Sequence, residues 1–98
     1  LDSIVIDKPY EDKHELNVDG IFMEIGADPR VELPNQLGVA LNDQDEVMVN
    51  KQMQTNVQGV FAAGDLTDGS GDLKQTITAA AQGAIAASTA YKYLMEHP

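Results

Sequence analysis

TNVQGVFAAGDLTDGSGDLKQTI, residues Thr55 to Ile77, is the stretch on which the reading of this chain turns. It opens with a turn, runs into a short apolar strand, Val60-Phe61-Ala62-Ala63, and stops at Gly64-Asp65. A glycine-rich loop follows, and a long helix opens near Lys74. The uniformly apolar run predicts a buried central strand, and Gly64 lets the backbone approach a ligand closely. Taken alone, an aspartate after a strand reads first as a turn former or a cap. The strand before it and the helix behind it change that weighting, because the first amides of a helix lack intrahelical acceptors and point back towards the strand end. A carboxylate at the C-terminal end of a buried strand, close to a helix N-terminus, is how an open α/β sheet holds a nucleotide-like cofactor.

The rest of the composition bounds the partners. Ninety-eight residues allow one modest domain or a piece of a larger one, and 43% apolar residues suit a globular chain. Sixteen acidic residues against six basic ones repel phosphates, which argues against nucleic acid and anionic membrane as partners. Residues 75–91 are free of charge, yet their Ala, Thr, Ser and Gln content makes a poor membrane segment. The chain has no cysteine, so it carries no disulfide, thiolate zinc site or redox dithiol of its own. A cytoplasmic protein is the expectation. The chain starts at Leu1 without a signal-peptide pattern, which suggests a fragment.

In chain order, residues 1–18 read as a β-hairpin: Ile4-Val5-Ile6, a polar turn over Pro9 to Lys13, then Leu16 and Val18 alternating with polar neighbours. Asp19-Gly20 signals a turn, and Gly20 to Gly26 reads as a further strand. Val31 to Gly38 is expected to be irregular, with Pro34 blocking regular pairing. A second hairpin is expected across Val39-Ala40-Leu41 and Val47-Met48-Val49, and its polar tip, Asn42 to Glu46, reads as a solvated turn rather than a metal site. Asp68-Gly69-Ser70-Gly71-Asp72 superficially suggests a calcium loop, but Leu73 and Ala79 stand where the glycine and the last carboxylate belong, so no metal site is expected. The long helix, about Lys74 to Met95, carries the stripe Ile77, Ala81, Ala84/Ile85, Ser88, Tyr91 and Leu94/Met95 at helical spacing. Its opposite face, with Thr78, Ala79, Gln82, Ala86 and Thr89, is scarcely polar, so burial on more than one side is expected.

The motifs together resemble a known family. Thr55 followed after four residues by Val60-Phe61-Ala62-Ala63-Gly64-Asp65 is similar to the second FAD-binding motif of the flavoprotein disulfide reductases with two dinucleotide domains. Lys74-Gln75-Thr76-Ile77-Thr78-Ala79-Ala80 resembles the helix start that follows in thioredoxin reductases. Gly20 to Pro29 resembles the segment returning from the NAD(P)H domain to the FAD domain, although Arg30 stands where the family commonly has Asn. The loop carrying Asp68 to Asp72 is slightly longer than is usual there.

The resemblance implies an α/β fold: the C-terminal fragment of an FAD/NAD(P)-binding, Rossmann-like, three-layer domain, with β-hairpins and one long C-terminal helix. Residues 1–19 would be the tail of the NAD(P)H-binding domain and 20–98 the returning FAD-binding segment. It implies FAD as cofactor, with NAD(P)H used by the parent protein. Cofactor-binding residues would be Gly64, Asp65, Lys74, Gln75 and Thr76, with Asp65 accepting hydrogen bonds from ribityl hydroxyls and the helix start facing the flavin. No catalytic side chain is expected within the chain, because the family's first FAD fingerprint, its NAD(P)H glycine motif and its Cys-x-x-Cys are all absent. The function implied is that of a thioredoxin reductase-like oxidoreductase acting on a thioredoxin-like disulfide protein, the fragment alone being inactive. A homodimer is the expected assembly. Two alternatives stay open: the same fold reducing ferredoxin, oxygen or peroxiredoxin partners, and a non-enzymatic binding module.

Overall fold

Alternating apolar residues near the N-terminus build the first feature of the computed structural model, which describes residues 1–98. Strands β1 (Ser3–Tyr10) and β2 (Lys13–Asn17) form an antiparallel hairpin in the register Ser3↔Asn17, Ile4↔Leu16 and Val5↔Glu15. Ile4, Ile6, Leu16 and Val18 share its half-buried side, while Val5 faces out, as a two-residue period requires. The turn is tighter than the residues suggested. Only Glu11 and Asp12 form it, with φ of 48° and 61°, the left-handed pair that suits the twist of a hairpin. The hairpin packs against neither helix.

Gly20 to Gly26 forms no strand, contrary to expectation. A strand needs a neighbour for its amides and carbonyls, and no other segment pairs with this one; Phe22 is 96% and Ile25 88% exposed. The stretch from Val31 is also more regular than expected. Glu32–Gln36 forms a short helix, α1, with Pro34 in its first turn, where a missing amide costs no intrahelical bond. Pro34 then accepts from Val39 N–H at 2.9 Å through its carbonyl.

Three short pairings make the body of the fold. The 39–49 hairpin forms, but its ladder is one bridge long, Leu41↔Val47, beside Met48 N–H to Ala40 O at 3.0 Å. Its tip is closed by Asn42, whose Oδ1 accepts from the amides of Gln44 and Glu46. A further antiparallel pairing joins Gln54 to Phe61, with Ala62 N–H donating to Met53 O at 3.1 Å. Val47 also pairs in parallel with Thr67, donating to Leu66 O at 2.8 Å and accepting from Asp68 N–H at 3.1 Å. Asn56 ties the first two pairings together: its Oδ1 accepts from Ala40 N–H at 2.7 Å and its Nδ2 donates to Gly38 O at 3.1 Å.

Val39, Val47 and Met53 are the buried apolar residues, and Thr67 and Gln82 are buried with them. Val60 to Ala63 is half-buried and bridged only at Phe61, not a buried central strand. One edge of it meets Gln54; the other borders an apolar cavity of about 330 Å³ lined by Leu33, Leu37, Val39, Val47, Val60 and Leu66 among others.

Helix α2 (Thr76–Glu96) lies along this body and is where the longest element was expected. No helix is long and apolar enough to cross a membrane. The face of α2 turned inward is the reverse of the one the apolar stripe suggested. Thr78, Ala79, Gln82, Ala86, Thr89 and Tyr93 pack inward, whereas Ile77 is 78% exposed and Ile85, Tyr91, Leu94 and Met95 also face out. Small residues win that contact because they let the helix approach the Gly64–Thr67 turn closely, while Tyr93 meets Phe61 edge to face at 6.0 Å.

Candidate functional site

The Gly64-Asp65 corner is set by backbone geometry first. Gly64 has φ +97°, a conformation that L side chains rarely adopt, and it turns the chain out of the 60–63 segment. A Cβ added there would lie 3.8 Å from Ala79 Cβ, so the corner sits against the first turn of α2. The end of the 60–63 segment and the helix mouth are therefore adjacent. Gly64 N–H donates to Gln82 Oε1 at 2.7 Å. Thr67 closes the turn with its amide on Gly64 O at 3.0 Å. Its hydroxyl lies 2.8 Å from Gln82 Oε1 and 2.9 Å from Gly64 O, so its single proton serves one of the two.

Asp65 projects from this corner, exposed, and makes no hydrogen bond or ion pair within the chain. It lines a cleft of about 570 Å³ together with Gly26, Asp28, Arg30, Glu46 and Lys74. Glu24 and Gly26 to Arg30 thus line one part of the cleft, and Glu46, Asp65, Leu66 and Lys74 line the rest.

Lys74 does not reach freely into the cleft. Its ammonium pairs with Glu46 Oε1 at 2.7 Å and donates to the carbonyl of Thr67. Asn42 Nδ2 adds a second hydrogen bond to Glu46, at 2.8 Å on Oε2. The Lys74 hydrogen bond, and after it the one from Asn42, holds the Glu46 carboxyl below its ordinary value despite partial desolvation. The tip read as a purely solvated turn is therefore also a brace for the 66–74 loop.

Gln75 is the N-cap of α2, in extended conformation, with its N–H donating to Thr78 Oγ1 at 3.1 Å. The first intrahelical bond is Ala79 N–H to Gln75 O at 3.0 Å, so the amides of Thr76 and Ile77 have no acceptor within the helix. Gly64, Asp65, Gln75 and Thr76 are thus brought to one end of α2, with Lys74 braced beside them. The donor set fits a flavin nucleotide: an unclaimed carboxylate offers acceptors to hydroxyls, and unclaimed amides at a helix N-terminus suit an electron-rich ring edge.

Three residues that carry the geometry were not legible as site residues: Glu46, Thr67 and Gln82. Thr67 and Gln82 carry no local motif. A single glutamine, Gln82, in the middle of the charge-free run 76–91 was the only available signal.

Known proteins resemble this chain in sequence and in fold. The family described as pyridine nucleotide-disulphide oxidoreductase matches residues 4–83. An alkyl hydroperoxide reductase chain from Staphylococcus aureus (strain NCTC 8325) is 41% identical over 90% of this chain, which covers 18% of that relative. The Staphylococcus epidermidis protein of the same name is 41% identical over 98% of the chain and 19% of the relative. Among solved structures, thioredoxin reductase from T. acidophilum superposes with a TM-score of 0.72 at 32% identity, over 83% of this chain and 26% of that one. Lactococcus lactis thioredoxin reductase, in its FR conformation, gives 0.69 at 36% identity, over 84% and 26%. The chain spans about a fifth of the length of these curated relatives.

Proposed function

The chain belongs to the pyridine nucleotide-disulphide oxidoreductase family, and from that premise we propose that it supplies the ribityl- and flavin-facing corner of a thioredoxin reductase-like FAD enzyme. The observation that carries this reading is the free Asp65 carboxylate at the mouth of α2, on a corner held against the helix by Gly64. Residues 1–19 belong in this reading to the nicotinamide-binding domain and residues 20–98 to the flavin-binding one.

FAD held by Asp65 and the opening amides of α2 would supply hydride acceptance and onward electron transfer there. The chain's own residues bind and orient. Asp65 accepts hydrogen bonds from ribityl hydroxyls, which a carboxylate does without offering a competing donor. The Thr76 and Ile77 amides and the positive end of the α2 dipole favour electron density on the adjacent ring edge. Lys74, held by Glu46 and the Thr67 carbonyl, sets the loop position rather than offering a free cation. The chain has no cysteine, so the dithiol that hands electrons to a protein disulfide is assigned to the parent enzyme.

The acceptor is a disulfide protein of the thioredoxin or peroxiredoxin kind. The 41% identity to proteins named for alkyl hydroperoxide reductase favours the peroxiredoxin side of that pair, and the structural likeness to thioredoxin reductases the other. The exposed outer face of α2 and the apolar cavity beside Val60–Ala63 are, in this reading, surfaces that pack against the remainder of the flavoenzyme.

The test is Asp65→Ala in the intact protein, followed by titration of apoprotein with FAD. The expected result is FAD affinity weakened at least about tenfold, the scale of one or two charge-assisted hydrogen bonds. FAD bound as tightly as in the wild type would overturn the assignment.

A further inference from the structure

Gln82 is the most deeply buried polar side chain of α2, only 5% exposed, and it is not fully satisfied. Its Oε1 receives the Gly64 amide at 2.7 Å and lies 2.8 Å from Thr67 Oγ1. Its Nε2 has no hydrogen-bond partner. Burying a long, flexible amide with an orphan donor is unfavourable, and a leucine or methionine would fill similar space without it. The amide is also locked in place: a Cβ at Gly69 would stand 3.1 Å from Nε2, so Gly69 packs directly over it.

The two halves of the flavin corner sit on different pieces of chain. Asp65 belongs to the 64–67 turn, and the free amides belong to the first turn of α2. Gln82 is the one α2 side chain that hydrogen-bonds that turn. It stands six residues beyond Thr76, about 9 Å along the helix axis.

We propose that Gln82 is a positioning residue for the flavin: it joins the Asp65 corner to α2 and so sets the spacing between the ribityl-binding carboxylate and the ring-facing amides, without touching the cofactor. This rests on the flavin reading above. Its acceptor oxygen does the joining, so the role survives loss of the side-chain NH2 but not loss of the oxygen. A packing role would show the opposite preference, tolerating apolar side chains of the same volume.

The experiment compares Gln82→Leu, Gln82→Met and Gln82→Glu in the intact holoenzyme, measuring FAD affinity by apoprotein titration, flavin reduction potential, and thermal unfolding. The Leu and Met variants are expected to weaken FAD binding about tenfold and to shift the potential, because the helix amides move relative to the ring. The Glu variant keeps an acceptor for Gly64 N–H and Thr67 O–H and is expected to stay within about threefold of the wild type. Wild-type affinity and potential in the Leu or Met variant would overturn the proposal. So would a Glu variant as impaired as Leu, which takes the acceptor oxygen out of the account, or Leu and Met variants that both fail to fold, which makes Gln82 a residue the whole fold needs rather than one that positions the flavin. These results are read against wild-type protein that binds FAD and an Asp65→Ala variant that loses it. If the wild type fails to bind FAD, or Asp65→Ala holds it unchanged, the flavin reading itself falls and this proposal with it.

Discussion

Replacing Gly64 with alanine isolates the backbone demand at the centre of the site. The residue sits at φ +97°, and the added Cβ would have room, since its nearest neighbour is Ala79 Cβ at 3.8 Å. The cost is therefore conformational rather than steric. Holding a non-glycine residue in that region costs on the order of 1–3 kcal/mol, offset by about 0.4–1 kcal/mol of lost unfolded-state freedom. The chain has one way to avoid the strain, which is to rotate the Gly64 peptide towards negative φ. That rotation gives up the 2.7 Å bond to Gln82 Oε1, itself worth about 0.5–1.5 kcal/mol. With the offset included, the strained route loses roughly 0–2.6 kcal/mol and the rotated one at most about 1 kcal/mol, so a net loss of about 1 kcal/mol is expected. Urea unfolding of Gly64→Ala in the intact protein should show that loss at unchanged slope, and FAD titration should show weaker binding because the same peptide carries Asp65. Asparagine tolerates positive φ better than alanine, so Gly64→Asn should lose less than Gly64→Ala. An alanine variant within about 0.3 kcal/mol of the wild type would refute the claim that this backbone conformation organises the corner.

Gly69→Ala should destabilise by a different route, overpacking of about 1–3 kcal/mol, because its φ is unstrained but its Cβ would stand 3.1 Å from Gln82 Nε2 and 3.2 Å from Val49 Cγ2; equal stability in denaturant would contradict the close approach. Val47→Ala should cost about 1.5–3 kcal/mol by urea titration, since Val47 is fully buried and borders a cavity already open on one side. The Glu46 carboxyl is held below the 4.5 of an unpaired glutamate, first by Lys74 and then by Asn42, so the unfolded chain takes up the proton first as pH falls. Its stabilisation is complete above pH 4.5 and fades below it as pH drops through the lowered folded value. Thermal melts should therefore fall more steeply below pH 4.5 in the wild type than in Glu46→Gln; parallel curves would remove the brace.

Legibility followed the range of the interactions. The first hairpin was readable because its alternation is local, although its turn was not, since Glu11-Asp12 lacks the glycine that usually announces positive φ. Pro34 misled because proline forbids a strand interior but not the first turn of a helix. The Gly20–Gly26 segment has the side chains of a strand and no partner, and pairing is a property of two segments. The inward face of α2 escaped the pattern for a related reason. Both of its faces are apolar or small, so periodicity could not choose between them, and the choice went to the face carrying Gln82.

By itself the sequence determined the parts of the site that depend on local backbone chemistry: a glycine that turns at Gly64, a carboxylate directly after it, and a helix opening near Lys74, which the structure starts at Thr76 with its first amides unclaimed. Tertiary structure alone decided what holds those parts at a common distance. Gln82 on the Gly64 amide and Lys74 between Glu46 and the Thr67 carbonyl join segments far apart in the chain. Each such contact depends on two side chains or peptides meeting in space, and no spacing along one segment encodes that meeting.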